Sequence, residues 1–348
     1  KKDQSADSVR AIIKGKSGSI ATLGILRNDS LLSLPVTRGA IPLPAVEVAY
    51  LLNATTGYIR MEKFSETSYE EFMKNLELLI DKGMKNLVID FRGNGGGLLT
   101  EAVDIADELL DNKKLIVFTQ GDKVGKKEYR AERPGLFEKG KVSILIDEYS
   151  ASASEVVAGA IQDWCRGKII GQTSYGKGLV QQTKPLMHNS QIKITVAKYY
   201  IPSGRCVQAL DYSNKNEDGR VERVPDSLIP AFKTKKGRIV YDGAGVMPDI
   251  KSSEEKLNTV LISLLSKFHI FNYATNYALK TPTIIDASNF KLTDEDYNNF
   301  MTYIKTQDYS YKSNIEIELE KLKKDAEEEQ SFGLIKLEYE TLLNKLIQ

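Results

Sequence analysis

The sequence predicts a mixed α/β protein with parallel strands in its central part and a helical C-terminal region. Between residues 56 and 210, short apolar runs alternate with amphipathic segments of helical periodicity. This strand–helix–strand spacing is typical of a parallel sheet with right-handed crossovers. Beyond residue 250 the strand pattern stops, and Glu- and Lys-rich segments with helical periodicity follow. The 348 residues suffice for two or three domains.

The first 41 residues predict one short helix and two strands, which is too little to bury a core alone. Ser5 or Asp7 can cap a helix that ends near Lys14. Alternating apolar and polar residues then predict strands at 19–27 and 30–38, joined by a turn at Asn28 and Asp29. The following stretch, 41–44, is expected to be an extended linker because each proline keeps its predecessor out of the α region.

The central region predicts repeated strand–helix units. The helix at 68–82 shows the pattern most clearly, because Phe72, Leu76 and Leu79 fall on one side. The predicted strands of this region are 58–61, 86–91, 115–119, 142–146, 168–171, 179–183 and 191–200, and its helices are 68–82, 98–110 and 152–165. The C-terminal region predicts helices at 254–267, 293–306, 314–324 and 333–347. The charge run at 316–329 is expected to be a solvated helix face.

Composition excludes several classes of function. The chain has 48 basic and 47 acidic residues, a net charge of +1 and no large basic stripe, which argues against binding nucleic acid. No apolar run approaches the roughly 18 residues of a membrane span. Cys165 and Cys206 are in no CxxC pair, so a zinc site or a disulfide scaffold is not expected and both are predicted to be free thiols.

The two histidines stand in contexts that do not favour catalysis. His188 lies in a polar turn and His269 lies near a predicted helix end, 81 positions away. A Ser-His-Asp triad would have to use one of them. If the protein is an enzyme, we therefore expect its general base to be another residue.

A glycine-rich loop follows the strand at 86–91 and precedes a helix. It runs from Asp90 to Gly97, and the dinucleotide pattern G-x-G-x-x-G would need a glycine where Leu98 stands. The loop nevertheless leaves backbone N–H groups unshielded, which suits an anion or an oxyanion. The alternative is a tight strand-to-helix turn without any function.

A serine-rich loop, 150–155, follows the strand at 142–146. Ser152 with Glu155 three residues later forms a capping box, which many helices use for structure alone. A serine in a tight strand-to-helix turn also resembles a nucleophile elbow, where the next N–H can stabilise an oxyanion. The pattern by itself leaves both interpretations open.

A third loop, 171–178, nearly matches the P-loop pattern. Gly178 stands where that pattern needs a hydroxyl for magnesium, and the next residues predict a strand instead of a helix. Lys177 lies between two glycines in this loop. It is either an exposed turn lysine or a general base, since a buried lysine near a serine can lose its charge.

Taken together, the three loops carry a family resemblance. The motifs are Gly93-Asn94-Gly95-Gly96-Gly97, residues 150–155 with Gln162-Asp163, Tyr175-Gly176-Lys177-Gly178 with Gln181, and residues 243–249. In this order they resemble the carboxyl-terminal processing peptidases, also called tail-specific proteases. The resemblance covers residues 40 to 250. Three loop motifs in register, with the further match at 243–249, are far more specific than any one loop.

The resemblance implies a role for each matching position. It makes Ser152 the nucleophile, Lys177 its general base and Gln181 the residue that orients the lysine. It also implies that the N–H groups of Ala153 and Gly96 form the oxyanion hole, and no metal or cofactor is expected. Asp163 matches a family position too, and we interpret it as structural or orienting.

The resemblance further implies an architecture. It predicts a crotonase/Clp-like protease core at 42–250, preceded at 1–41 by the C-terminal half of a PDZ domain and followed at 251–348 by the helical region. Family members suggest protein substrates with exposed C-termini, a location in the cell envelope or periplasm, and a homodimer through the C-terminal helices. The expected function is a serine endopeptidase acting through an acyl-enzyme. The alternatives are an inactive peptide-binding scaffold and an acyl-CoA enzyme of a related fold.

Overall fold

The computed structural model describes residues 5–27, 29–41, 43–188, 190–215, 221–224, 229–253, 257–281, 283, 290–308 and 313–347. The predicted turn residue Asn28, the linker residue Pro42 and the first three residues of the helix predicted at 254–267 lie outside these ranges. The chain divides into two units, Lys1–Ser253 and Glu254–Gln348.

The described elements follow each other in this chain order. The strands are β1 (Ile20–Arg27), β2 (Ser30–Thr37), β3 (Val46–Asn53), β4 (Thr56–Met61), β5 (Asn86–Asp90), β6 (Leu115–Gln120), β7 (Lys127–Arg130), β8 (Lys141–Ile146), β9 (Gly167–Gly171), β10 (Leu179–Pro185), β11 (Gln191–Tyr200), β12 (Leu210–Lys215), β13 (Val221–Arg223), β14 (Ala231–Lys233), β15 (Ile239–Tyr241) and β16 (Ile250–Lys251). The helices are α1 (Ala6–Ile13), α2 (Ser68–Asp81), α3 (Leu99–Asp107), α4 (Ala153–Asp163), α5 (Thr259–Ser266), α6 (His269–Lys280), α7 (Asp294–Ile304), α8 (Asn314–Glu328) and α9 (Phe332–Ile347).

A six-stranded sheet forms the centre of the first unit. Its strand order is β16-β9-β8-β5-β4-β3, and every pair is parallel except β3 with β4. The predicted α/β class with parallel strands is therefore confirmed. Because β5, β8 and β9 are neighbours and parallel, the loops that leave their carboxyl ends meet at one edge of the sheet.

The helices α2, α3 and α4 bury their apolar faces in the core, where α2 contacts β3 and β4 of this sheet and α3 contacts α2, α4 and the strands β6 and β7. Phe72 and Leu76 of α2, Ile105 of α3 and Val156 of α4 have no exposed surface. Helix α4 is buried at every position, because it contacts β9 of the first sheet and β6 of another sheet. The start of α4 is therefore fixed from several sides.

A second sheet has the order β10-β11-β6-β7, and all its pairs are antiparallel. The segment 115–119 forms a strand as predicted, but its inclusion among the parallel units was wrong. The place beside β5 is taken by β8, so β6 pairs with β7 and β11 instead. Strand periodicity shows that a segment is extended but does not identify its partner.

The N-terminal residues form α1 and the hairpin β1–β2, close to the predicted bounds. Ser5 caps α1, and its side chain accepts a hydrogen bond from the N–H of Ser8. The proposed half PDZ domain remains a prediction. Among the described residues, no helix is long and apolar enough to cross a membrane.

The C-terminal unit is helical, as predicted. Thr293 caps α7 through a reciprocal box with Asp296, which the sequence indicated. Helix α6 was not predicted, because its apolar residues follow the preceding helix with only two intervening positions. The strands β3, β7 and β12 to β16 were also missed.

A buried ion pair holds the end of α4 to the loop after β11. Arg205 has no exposed side-chain surface, and it donates to Asp163 Oδ1 at 3.2 Å and to Gln162 Oε1 at 2.8 Å. Asp163 Oδ2 also accepts the N–H of Ser203 at 2.9 Å. Burial lowers the pKa of Arg205, and the Asp163 charge opposes this shift. These contacts support the structural interpretation of Asp163.

We expect Asp163→Asn to destabilise the protein by about 3–5 kcal/mol, because the buried Arg205 charge would lose its counter-ion. The matched control is Asp104→Asn, which breaks an exposed pair with Arg133 at 3.0 Å and should cost less than about 1 kcal/mol. Urea unfolding of both variants measures the two values. Equal losses would contradict the structural role of Asp163.

Candidate active site

The three loops singled out in the sequence surround one cavity of about 400 Å³. It is lined by all five predicted site residues, namely Gly96, Ser152, Ala153, Lys177 and Gln181. Gly96, Ser152 and Lys177 lie in loops that leave the carboxyl ends of β5, β8 and β9, which explains why positions up to 81 residues apart meet, and Gln181 lies on β10 just after the third loop. Neither histidine lines this cavity.

Ser152 lies in the turn between β8 and α4 and has a strained backbone. Its φ of 57° and ψ of −113° form a conformation that residues other than glycine rarely adopt. Such strain costs on the order of 1–3 kcal/mol and persists only where surrounding contacts impose it. The turn directs the half-buried Ser152 into the cavity wall, with Ala153 as the first residue of α4.

The carboxylate of Glu155 joins the serine loop to the lysine loop. Its Oε2 accepts the N–H groups of Ser152 and Lys177, both at 2.8 Å. Its Oε1 accepts the N–H of Gly176 at 2.7 Å and the hydroxyl of Ser174 at 2.6 Å. Only 1% of Glu155 is exposed. Burial raises its pKa, while the four donors oppose this by favouring the carboxylate.

Tyr199 of β11 makes a second connection between the same two loops. Its hydroxyl lies within hydrogen-bond distance of the carbonyl oxygens of Lys177 and of Ser152, the latter at 3.2 Å. Tyr199 is buried, and desolvation raises its pKa well above the usual value. The phenol therefore stays protonated as a donor, and its single proton is directed at the two carbonyl oxygens, one in each loop.

The glycine loop packs directly on the serine turn. A Cβ placed on Gly96 would lie 2.5 Å from the carbonyl oxygen of Ala151 and 2.7 Å from Ser152 Cβ. The φ of Gly96 is +90°, which also requires glycine. Only a residue without a side chain lets these two loops approach so closely.

Asn94 is buried beneath the glycine loop and fixes it from below. Its Nδ2 donates to the carbonyl of Met61 at 2.8 Å, and its Oδ1 accepts the Gly96 N–H at 2.9 Å. Its main-chain carbonyl accepts the Ala151 N–H and the Ser154 hydroxyl, both at 3.0 Å. The Gly96 N–H is thus engaged with Asn94 and would have to leave it to bind a substrate oxygen.

Lys177 and Gln181 face the cavity from the other side. Lys177 is half-buried, whereas Gln181 is exposed and pairs with Thr195 just after a bulge in β10. No hydrogen bond joins Ser152 Oγ to Lys177 Nζ in the part of the chain that the structure describes. Catalytic hydrogen bonds are often long in unliganded proteins and tighten only when substrate binds.

A second cavity of about 520 Å³ lies beside the first and shares Lys177 and Gln181 with it. Its lining includes Tyr149, Tyr175 and Tyr212, whose rings are substantially exposed. The lysine loop therefore lines two adjoining cavities.

The remaining candidates are not in the site. His188 is exposed in the turn between β10 and β11, and His269 lies in the C-terminal unit, where its Nε2 contacts the carbonyl of Asp308. Cys165 and Cys206 are free thiols, as predicted. Among the described residues, no group of three or more His, Cys, Asp or Glu side chains could hold a metal ion.

Sequence reasoning missed what Glu155, Tyr199 and Asn94 do. Glu155 was interpreted as half of a capping box, and the structure does contain its bond to the Ser152 N–H. Its other three donors come from residues about 20 positions away, so no local pattern could reveal them. The position of Asn94 within the glycine motif was the one available signal.

Two family models match the chain. Residues 55–212 match the model described as Peptidase family S41. Residues 260–348 match the model described as Probable PDZ-protease, C-terminal helical domain. The first match contains all three loops of the cavity.

Curated proteins with similar sequences are named as proteases. A "Carboxy-terminal-processing protease" of Bartonella bacilliformis is 38% identical over 206 residues, which are 57% of this chain and 46% of that protein. A "Probable CtpA-like serine protease" of Staphylococcus epidermidis is 33% identical over 277 residues, 78% of this chain and 52% of that protein. "Carboxy-terminal processing protease CtpB" of Bacillus subtilis is 35% identical over 56% of this chain and 41% of that protein. This chain thus spans about half the length of the curated relatives it matches.

Solved structures include a photosystem II D1 C-terminal processing protease. It aligns with a TM-score of 0.47 and 24% identity, covering 69% of this chain and 57% of that chain.

We expect Gly96→Ala to destabilise the protein by roughly 2–5 kcal/mol, because the new methyl group meets the serine turn and the left-handed backbone becomes strained. Gly95→Ala is the matched control, since no heavy atom lies within 4 Å of the Cβ it would add. Its unfolding free energy should change by less than about 1 kcal/mol. Urea titrations compare the pair, and a stable Gly96→Ala variant would contradict the close packing.

We expect Glu155→Gln to cost roughly 2–5 kcal/mol. Each carboxylate oxygen accepts two donors, so the amide nitrogen of glutamine would face two donors and leave both unsatisfied. The exposed Glu66 provides the control, and Glu66→Gln should change stability by less than about 0.5 kcal/mol. Both are measured by urea unfolding at one pH. A neutral Glu155→Gln would show that the four hydrogen bonds do not hold the loops.

Proposed function

This chain belongs to peptidase family S41, which its residues 55–212 match, and we propose that it is a serine endopeptidase with Ser152 as nucleophile. One observation carries the proposal. Ser152 occupies a strained turn at the start of α4, and Glu155 binds that turn and the Lys177 loop around one cavity. A strained serine at a helix N-terminus is the arrangement of a nucleophile elbow.

In the proposed reaction, Ser152 Oγ attacks the carbonyl carbon of the scissile peptide bond. Lys177 Nζ accepts the hydroxyl proton and delivers it to the leaving amine as the C–N bond breaks. The products of this half-reaction are an acyl-enzyme and a peptide with a new N-terminus. Water then attacks the ester, again with Lys177 as base, and Ser152 is regenerated.

For this step Lys177 must be uncharged, and its nitrogen must reach the hydroxyl. Lys177 is half-buried, and both of its neighbours are glycines, so the main chain of this loop can pack closely against the residues around it. This position supports the role. Gln181 lines the same cavity and is proposed to orient the lysine. Formation of the Ser152–Lys177 contact is expected to accompany substrate binding.

The tetrahedral intermediate needs hydrogen-bond donors for its oxyanion. We assign the Ala153 N–H at the start of α4, where the helix dipole also favours negative charge. The second donor is the Gly96 N–H, which must exchange Asn94 Oδ1 for the substrate oxygen. The glycine loop therefore has to shift slightly when the substrate enters.

The proposed substrates are proteins with accessible C-terminal tails, as the names of the relatives suggest. The proposed location is the cell envelope or periplasm, and the C-terminal helices are proposed to form a homodimer. No observation favours the inactive scaffold, because Ser152 and Lys177 are both present in the cavity. The acyl-CoA hypothesis does not explain why Ser152 and Lys177 are both present.

We expect Ser152→Ala and Lys177→Ala each to reduce casein cleavage at least about a thousandfold, since each removes one member of a unit that acts together. Lys168→Ala is the control, because Lys168 is exposed on β9 and lines neither cavity. It should retain the wild-type rate. Thermal unfolding checks that all three variants are folded. Wild-type cleavage by either site variant would contradict the dyad.

A further inference from the structure

A second lysine lines the cavity of the proposed dyad. Lys193 of β11 shares this cavity with Ser152 and Lys177. The other lining residues are apolar or uncharged, and none is Asp or Glu. If Lys177 is uncharged as a base, Lys193 supplies the positive charge at this site.

The surrounding sequence has an unusual charge distribution. From Trp164 to Leu210 the chain contains no acidic residue, although 47 acidic residues occur in the 348. A stretch of this length would contain about six at the chain's average. The same stretch contains seven basic residues. The lysine loop and the hairpin β10–β11 therefore place no acidic side chain of their own beside Lys193, and the buried carboxylate of Glu155 is already engaged by four donors.

Strand pairing places Lys193 relative to Gln181, which lines the same cavity. Gln181 pairs with Thr195, and Thr183 pairs with Lys193, so these four side chains share one face of the hairpin. Lys193 is one same-face step beyond the position opposite Gln181, which is about 7 Å along the strand. An extended substrate chain advances about 3.3 Å per residue, so Lys193 is on the order of two residues from that position.

The charge of Lys193 is available to a ligand. Within the described residues no carboxylate forms an ion pair with it, and its side chain is exposed at the cavity. Lys184, the other lysine of this part of the hairpin, pairs with Ile192 and therefore points to the opposite face. Lys193 is thus the cation of the hairpin that faces the cavity.

We propose that Lys193 is a specificity residue that binds a substrate carboxylate close to the scissile bond. This inference rests on the proposed function, because it assigns a substrate class to the same site. The carboxylate is either the free C-terminus of the substrate or an acidic side chain. In the first case Lys193 lies on the leaving-group side, and cleavage releases a very short C-terminal fragment.

Binding to the Ser152→Ala variant tests this proposal without catalysis. The probes are three fluorescein-labelled ten-residue peptides of alanine and leucine. One has a free C-terminal carboxylate, one has a C-terminal carboxamide, and one has the carboxamide with glutamate as its second-last residue. Fluorescence anisotropy at low salt gives a Kd for each peptide.

We expect at least one carboxylate peptide to bind about tenfold more tightly than the uncharged peptide. Tighter binding of the first peptide identifies the free C-terminus as the ligand, and tighter binding of the third identifies an acidic side chain. In Ser152→Ala/Lys193→Gln this preference should disappear. In the control Ser152→Ala/Lys184→Gln it should persist, and added salt should weaken it.

The proposal is overturned if no carboxylate peptide is preferred, if none binds, or if Lys193→Gln retains the preference. Failure of the proposed function would be detected in a different assay, the cleavage of casein. In that case wild-type protein would not cleave casein, whatever the peptide affinities of the Ser152→Ala variants. The two inferences therefore fail in separate assays.

Discussion

The buried carboxylate of Glu155 is the interaction on which the site depends. Its two oxygens accept four hydrogen bonds, from the serine turn on one side and the lysine loop on the other. Burying a carboxylate is costly unless it is fully hydrogen-bonded, and these donors offset that cost. Because the carboxylate lies at the start of α4, helix and loops are fixed together. These contacts hold the backbone of Ser152 in its strained conformation.

The parallel sheet makes this arrangement available. It brings the carboxyl ends of β5, β8 and β9 to one edge, and each strand supplies one loop. Gly96 then allows the glycine loop to contact the serine loop. The Tyr199 hydroxyl lies within hydrogen-bond distance of one carbonyl oxygen in the serine loop and one in the lysine loop. The second sheet contributes this tyrosine and the hairpin that carries Lys193. Both sheets are therefore needed to complete the cavity.

The sequence predicted the parallel core, most element bounds and the residues that line the cavity. The core and the element bounds depend on local periodicity, which a single sequence displays, whereas the five site residues were implied by the family resemblance of the three loops. It did not predict the antiparallel pairing of β6, because partner choice depends on which strand occupies the neighbouring place. It also did not predict the three distant donors to Glu155, or the bond between Asn94 and the Gly96 N–H. Such contacts are properties of the assembled loops.

The central claim is that Ser152 is a nucleophile activated by Lys177 within this assembly. The most direct measurement is the rate of covalent labelling by a fluorophosphonate, followed by mass spectrometry of the labelled peptide. The account predicts one adduct, on Ser152, that forms much more slowly in Lys177→Ala while the protein stays folded. An adduct on another residue, or a labelling rate that Lys177→Ala leaves unchanged, would contradict it.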